Sequence, residues 1–533
     1  MRGAKTMAFT FQINDEVQFN HDERLLNKAK QYKPVIHQDI VFPKSIVELV
    51  PDSQKLEGWG VQDTQDIEGL PNIKLKRNQK ITLDFGSHQV GKFSIDINSV
   101  GSPMDAPLFI KLKFAEMPAE LKHKSEDYHG WLSKSWIQEE YIHLDVLPTH
   151  LELSRRYSFR YVEITVIDTS PKWQAVLSNP QVESETSASN EQLSVPSIKD
   201  PEMKSIYQVG LKTLQDCMQD IFEDGPKRDR RLWIGDLRLQ ALANYATFKD
   251  VGLVKRCLYL FGAMTAKDGR IPANVFTQPQ DIPDDTFLFD YSLFFISILD
   301  DFQRFKQDQE LLSDLYPFAK KQMDVALEKV QLNGELILDD SYPVFIDWSN
   351  DFDKNTAGQA VLIYTLRQFI HLAKMMNDNV DGYSQKLHEL ISYSQFNLFD
   401  AEKGLFVSGP QHEVNIASQV WMVLARVLDD RQNKQVMIHT INELFPITGI
   451  ATPYMYHHIT QALFEAGMND EAIKLMKDYW GQMISLGADT YWEAFEPAKP
   501  EYSPYGSPIL NSYCHAWSCT PVYLIQKYLI GEE

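Results

Sequence analysis

Thirteen residues, Asp224-Gly225-Pro226-Lys227-Arg228-Asp229-Arg230-Arg231-Leu232-Trp233-Ile234-Gly235-Asp236, hold three carboxylates, three arginines, a lysine and a tryptophan. Gly225-Pro226 breaks any helix before them, and the apolar-periodic run from Leu237 to Phe248 predicts a helix after them. Carboxylates held in a cleft need arginine partners to stay ordered and correctly ionised; a solvated loop needs neither the alternation of charge nor the tryptophan. A buried structural salt-bridge network would use the same residue types, so this stretch alone leaves both readings open. Other acidic and aromatic residues stand far away in sequence: Asp281, Asp284, Asp285 and Asp290, then Asp347-Trp348, then Asp489-Thr490-Tyr491-Trp492-Glu493. Gathered over one opening, such residues suit glycoside hydrolysis. One carboxylic acid protonates the departing oxygen, and a second carboxylate activates water or attacks the anomeric carbon. Aromatic faces pack on the apolar side of a sugar while charged groups fix its hydroxyls.

Gathering them is the task of the scaffold, and the chain has two textures. From about 33 to 190 it reads as β-structure. Ile81–Phe85, Phe93–Ile97, Phe109–Phe114 and Tyr161–Val166 alternate apolar and polar residues, with Gly86, Gly91, Gly101 and Pro103 between them. An antiparallel β-sandwich is the economical expectation. Residues 1–32 form a polar lead-in with some helix near His21–Tyr32, and Ser184–Asn190 reads as a linker. From 191 to 533 the texture is helical, with twelve segments near 201–220, 236–249, 251–265, 288–306, 309–330, 355–377, 380–396, 412–428, 430–443, 454–467, 469–486 and 513–530. In the eleventh, Ile473, Met476, Trp480, Met483 and Ile484 share a face, Asn469 is placed to cap and Gly487 to stop it. Pro317 is expected to kink or divide the fifth.

The links between these segments alternate, short from even to odd and long from odd to even. Six hairpins joined in this way predict an (α/α)6 ring of inner and outer helices with every long loop at one rim. The unusual residues fall in those long loops, where sites are usually built. That convergence favours a site over a structural charge network.

Composition narrows the chemistry. Lys and Arg number 52 against 73 Asp and Glu, a net charge of −21 without a basic tract, which argues against nucleic acid and anionic membranes as partners. A small neutral substrate fits better. Four cysteines in 533 residues make no disulfide framework. Met1–Met7 is followed by no apolar signal region, no run is long enough to span a membrane, and the expected compartment is the cytoplasm. Neither a metal set nor a phosphate loop is evident, so no cofactor is expected. Cys514, His515 and Cys519 match no standard zinc spacing, the adjacent His457 and His458 face different directions on a helix, and Cys217 and Cys257 read as small buried apolar residues.

The pattern Asp224-x3-Arg228-Asp229-Arg230-x2-Trp233-x-Gly235-Asp236 resembles the signature of bacterial α-L-rhamnosidases, six-hairpin glycosidases that invert anomeric configuration. Leu83-Asp84-Phe85-Gly86, Phe114-Ala115-Glu116 and Arg156–Tyr161 are similar to phrases of that family's β-sandwich. Asp290-Tyr291-Ser292, Asp347-Trp348, Trp421–Leu424, Thr452–Met455, Trp492-Glu493 and His515–Ser518 are similar to phrases of its barrel. The resemblance implies that Asp229 stands at the general-acid position and Glu493 at the general-base position. It implies that Asp224, Arg228, Trp233, Asp236, Asp290, Trp348 and His515 contact the sugar. Two departures stand out. The acid position usually holds Glu, and the family usually carries a second β-sandwich after the barrel, whereas this sequence stops about three residues past its last predicted helix.

The expected activity is removal of terminal α-L-rhamnose from a small glycoside. Two alternatives remain: the same fold acting on another sugar, and a sugar-binding protein without turnover. Self-association is left open. Asp229 paired only with Arg230 or Arg231, Trp233 and Trp348 as plain core residues, and Asp290 as a helix cap are the structural alternatives at single positions.

Overall fold

The computed structural model describes residues 17–531. Strands β1 (His37–Val41), β2 (Ser45–Pro51), β3 (Trp59–Asp66), β4 (Lys74–Leu75), β5 (Lys80–Gly101), β6 (Leu108–Ala115), β7 (Glu139–Leu144), β8 (Thr149–Glu152), β9 (Tyr157–Asp168) and β10 (Trp173–Thr186) pair antiparallel throughout. The two strands expected at Ile81–Phe85 and Phe93–Ile97 are one 22-residue strand, β5. It turns through Gly86 at φ +78° and shifts register against β9 between Asp84 and Gln89. Because β5 pairs with β2, β8, β9 and β10, the domain is a single connected sheet rather than two separate ones. Its alternating residues (Leu83, Phe93, Ile95, Leu112, Phe159, Val162) pack into one core. The expected linker starts late: Ser184–Thr186 belong to β10, held by pairing with His37–Asp39 of β1.

The helices are α1 (Glu23–Gln31), α2 (Pro201–Cys217), α3 (Ile234–Ala246), α4 (Val251–Ala263), α5 (Phe289–Phe305), α6 (Gln309–Leu327), α7 (Asn355–Met375), α8 (Asp381–Tyr393), α9 (Ile416–Leu424), α10 (Asp430–Leu444), α11 (Pro453–Glu465), α12 (Asn469–Met476), α13 (Gln482–Ser485) and α14 (Pro521–Ile525). The lead-in helix α1 packs against α4 through Leu25, Leu26 and Ala29. A turn of π-helix at Lys477–Gly481 joins α12 and α13 into the single expected segment, which begins at Asn469 with Met468 at the cap position and stops before Gly487 at φ +112°. Pro317 lies inside a continuous α6 and does not divide it.

Helices α3, α5, α7, α9 and α11 touch in succession; the turn Ala516–Ser518 touches both α11 and α3, and α14 packs on α3 to close the ring. Every residue of α9 is buried and α11 is buried along nearly all its length, as inner helices must be; α8 and α10 are amphipathic and lie outside. No helix among the described residues is long and apolar enough to cross a membrane.

Candidate active site

One cleft of about 440 Å³ opens at the rim where the long loops emerge. Eight of the nine sequence-predicted residues line it: Asp224, Arg228, Asp229, Trp233, Asp236, Trp348, Glu493 and His515. Asp290 does not. Its carboxylate lies beneath the wall and accepts the backbone N–H groups of Phe345 (2.9 Å) and Ile346 (3.0 Å), so it shapes the loop carrying Trp348. Nor does Asp290 cap its helix, since Leu288 holds the cap position. Asp347 is likewise buried under the rim, accepting from Ala451 N (3.0 Å), Ser349 N (2.8 Å) and the Thr452 hydroxyl. These two side chains obey the rule that a buried carboxylate must be fully hydrogen-bonded.

The Asp224–Asp236 segment is held by its own first residue. The Asp224 carboxylate accepts from Arg231 N (2.9 Å) and Asp229 N (3.3 Å), while its backbone carbonyl accepts from Ala516 N at 2.7 Å. The chain between them is thus looped around one side chain, with Arg230 at φ +61°. Leu232-Trp233 then pairs with Asn274–Phe276, and α3 starts at Ile234, which sets Asp236 in its first turn. Gly235 lets Tyr291 approach: a Cβ there would sit 2.4 Å from the tyrosine ring.

Arg228 is the hub of the cleft. Its Nε donates to Leu510 O (2.6 Å), one terminal nitrogen donates to Glu493, and the other lies 3.7 Å from Asp229. Its guanidinium stacks 3.9 Å above the Tyr505 ring, and the Tyr505 hydroxyl donates to the second Glu493 oxygen. Asp229 and Glu493 are therefore held across the width of a single guanidinium. His515 stands beside them, 3.4 Å from Asp236, 3.8 Å from Asp224 and 4.0 Å from Glu493.

Burial sets the charge states. It pushes the Asp224 carboxyl well above the usual range, and the neighbouring Asp229 charge adds to the push. Burial does the same to Asp236, with Asp224 and Glu493 adding to it. Glu493 is raised by burial against the pull of Arg228 and Tyr505. His515 is held neutral, its pKa far below the ordinary value because it is buried and faces Arg228. Asp284, on the cleft wall, is pushed up to about 6, chiefly by burial.

Metal ligation has one geometric candidate among the described residues, His88, Asp216 and Cys514. Both His88 nitrogens already have partners, Asp216 at 2.7 Å and Ser158 Oγ at 3.0 Å, and Asp216 also binds Lys212. The cluster is a hydrogen-bonded joint between the β-domain and the barrel. His457 and His458 are buried in the barrel interior, His458 facing Arg238 at 2.9 Å.

Among the lining residues that sequence reasoning missed, two sets matter most. Tyr505 sits in the last long loop, where the run Tyr502-Ser503-Pro504-Tyr505-Gly506 was the available signal. Trp131, Leu132, Ser133 and Trp136 come from the β-domain, between β6 and β7, and no local pattern pointed to them.

With this geometry in hand, comparison with known proteins is specific. Residues 43–184 match the glycosyl hydrolase family 78 alpha-rhamnosidase N-terminal domain, and residues 191–529 match the bacterial alpha-L-rhamnosidase six-hairpin glycosidase domain. No curated protein matches the sequence. Among solved structures, a rhamnosidase from Klebsiella oxytoca with rhamnose bound is 42% identical, with 96% of this chain and all of that chain covered at a TM-score of 0.93. A family 78 rhamnosidase from a Bacillus is 19% identical over 89% of this chain (TM-score 0.73), and this chain spans about 50% of it. The Streptomyces avermitilis α-L-rhamnosidase complexed with L-rhamnose is 15% identical over 93% of this chain and 44% of its own (TM-score 0.64). These last two share the fold. The chain belongs to glycoside hydrolase family 78, the α-L-rhamnosidases with a six-hairpin glycosidase domain.

Proposed function

We propose that the protein removes terminal α-L-rhamnose from small neutral glycosides with inversion, Asp229 acting as general acid and Glu493 as general base. The carrying observation is the pair flanking Arg228 in one cleft. Held across one guanidinium, the two carboxyls are near enough to flank a single sugar, within the ~9.5 Å upper end of the inverting range. The aspartate is shorter than the glutamate usual at the acid position, yet its side chain lines the cleft and is the more exposed of the two, 21% against 5% for Glu493. An exposed acid suits protonation of a leaving group at the mouth; a buried base suits water held beneath the sugar.

Asp224, Arg228, Asp236 and His515 hold the sugar hydroxyls in this reading, with Trp233 and Trp348 as its apolar walls. Asp236 Oδ1 and His515 Nδ1 lie 3.4 Å apart on the cleft wall without a formed hydrogen bond, so a sugar hydroxyl can engage either atom. Asp290 supports the wall instead. The reading divides the chain into a lead-in (1–32), a β-domain (33–190) and a catalytic barrel (191–533). It puts the enzyme in the cytoplasm, the compartment that four cysteines in 533 residues, too few for a disulfide framework, fit best.

The test is hydrolysis of an aryl α-L-rhamnoside beside a panel of other aryl glycosides, with the first-formed anomer followed by NMR. Glu493→Gln and Asp229→Asn are each expected to lose about 10²–10⁴ in kcat. A retained anomer, or undiminished turnover in Glu493→Gln, contradicts the assignment.

A further inference from the structure

The chemistry of the cleft changes with depth. At the bottom, Asp224, Asp236, Glu493 and His515 have side chains only 3–5% exposed. At the mouth stand Asp229, Trp348 and four residues of the β-domain: Trp131, Leu132, Ser133 and Trp136. The Trp131 residue is 48% exposed, far more than any aromatic deeper in the cleft. A volume of about 440 Å³ lies in the range, about 300–1,000 Å³, of pockets that enclose a drug-sized ligand, and one deoxysugar ring does not fill it.

The mouth is built rather than loose. Tyr128, 1% exposed, receives Leu132 N on its hydroxyl (3.0 Å) and donates that hydroxyl to Tyr505 O (3.3 Å). Trp131 Nε1 donates to Pro504 O at 3.1 Å, and its ring lies 5.5 Å from that of Tyr505. Gly130 permits the approach: a Cβ there would stand 2.1 Å from Tyr505 O. Tyr128, Ile137, Tyr505, Ile509 and Leu510 form an apolar cluster of their own, separate from the cores of both domains, with Leu132, Trp136 and Trp348 packed on it. The β-domain loop is thereby fastened to the barrel loop whose Tyr505 binds the base Glu493.

We infer that this loop forms the leaving-group subsite, with Trp131 as a platform for a flat ring. The inference rests on the functional reading above: if Asp229 protonates the departing oxygen, the leaving group must lie on its side, outward, against the tryptophans. Trp131 presents an exposed aromatic face, held at its Nε1 end, to whatever ring follows the scissile bond. Both an aromatic aglycone and the apolar face of a second pyranose meet that requirement. The β-domain is then a selector of leaving groups, and this loop's position is fixed by its contacts with Pro504 and Tyr505.

Three substrates distinguish the possibilities: α-L-rhamnosyl fluoride, which carries no ring after the scissile bond, a rhamnosyl-glucose disaccharide, and a rhamnosylated flavonoid. Stacking of one ring is worth about 0.5–1.5 kcal/mol, roughly three- to tenfold in kcat/KM. Trp131→Ala is expected to lose up to about tenfold more kcat/KM on a ring-bearing substrate than on the fluoride, through KM, with Trp131→Phe recovering most of it. The substrate that suffers more, disaccharide or flavonoid, identifies the ring. Equal loss on all three overturns the inference. Should the unmodified protein hydrolyse no rhamnoside at all, the functional reading falls instead. Quenching of protein fluorescence by the free aglycone then decides the platform: it must weaken in Trp131→Ala.

Discussion

Arg228→Met isolates how the cleft tunes Glu493, the proposed base. Arg228 is 2% exposed, and its guanidinium is the only cation whose bond to Glu493 the structure records among the described residues. Removing it leaves a carboxylate that is 5% exposed and bonded only to Tyr505. Breaking a buried ion pair from one side costs about 3–5 kcal/mol, most of it the penalty on the stranded charge. At ~1.4 kcal/mol per unit, taking up that penalty by protonation raises the Glu493 pKa by roughly two to four units. Glu493 is already raised by burial. A general base works when deprotonated, so kcat/KM climbs with pH through its pKa and the acidic limb of the profile reports it. The assay is kcat/KM for an aryl α-L-rhamnoside from acidic to alkaline pH, with far-UV circular dichroism to establish folding. The acidic limb of the unmodified enzyme is expected above the ordinary glutamate value, and that of Arg228→Met about two units higher still. A folded Arg228→Met variant that loses the same factor at every pH, with its acidic limb unmoved, would falsify the claim that Arg228 sets the charge of Glu493. It would leave Arg228 a sugar ligand only.

Asp236→Asn tests stability against function. Its folded pKa is raised by burial, so in the protein the carboxyl binds its proton more tightly than in the unfolded chain. Such a group weakens folding progressively as pH rises from the unfolded value, near 4, through the folded one, and the penalty is complete above it. Asp236→Asn should therefore stabilise the fold at neutral pH by on the order of 1 kcal/mol, read as a higher Tm, while the gain disappears below about pH 4 and activity falls. A lower Tm at neutral pH speaks against this. Lys227→Met tests the joint between the domains. The ammonium, 1% exposed, donates to Glu120 of the β-domain and to Ile509 O (3.2 Å) and Asn511 O (2.7 Å) of the loop that carries Glu493. Its loss should cost about 3–5 kcal/mol in denaturant unfolding and lower kcat, whereas an unchanged midpoint means that the joint does not stabilise the fold.

Joined to the β-domain, the barrel does more than its hairpins predict. Arg230 donates to Arg156 O at 2.8 Å, Arg156 pairs with Glu223, and Glu116 accepts from Tyr513 N at 2.6 Å. The signature arginines thus divide their work. Arg228 faces the cleft, while Arg230 turns away to grip the β-domain. Both of the readings that the charged segment allowed are present, at different residues of the same thirteen.

What could be read along the chain was periodic or local. The apolar spacing of twelve segments and the alternation of short and long links specify an inner and outer ring, because burial of one helix face is a property of residues three and four apart. The motif around Asp229 was legible because one loop carries it. That Asp229 and Glu493 would line one cleft was also legible, since each lies in a long loop of that ring. The roles of Asp290 and Asp347 were not: a carboxylate that caps backbone N–H groups and one that faces a sugar are the same letter, and only the path of a loop 50 to 100 residues away decides between them. Tyr505 over Arg228, and Trp131 at the mouth, depend on the fold in the same manner. Tyr128 and Tyr505 are 377 positions apart, and no periodicity spans such a gap. Their contact exists only because the β-domain docks on the barrel, an outcome of surface against surface that side-chain spacing does not encode.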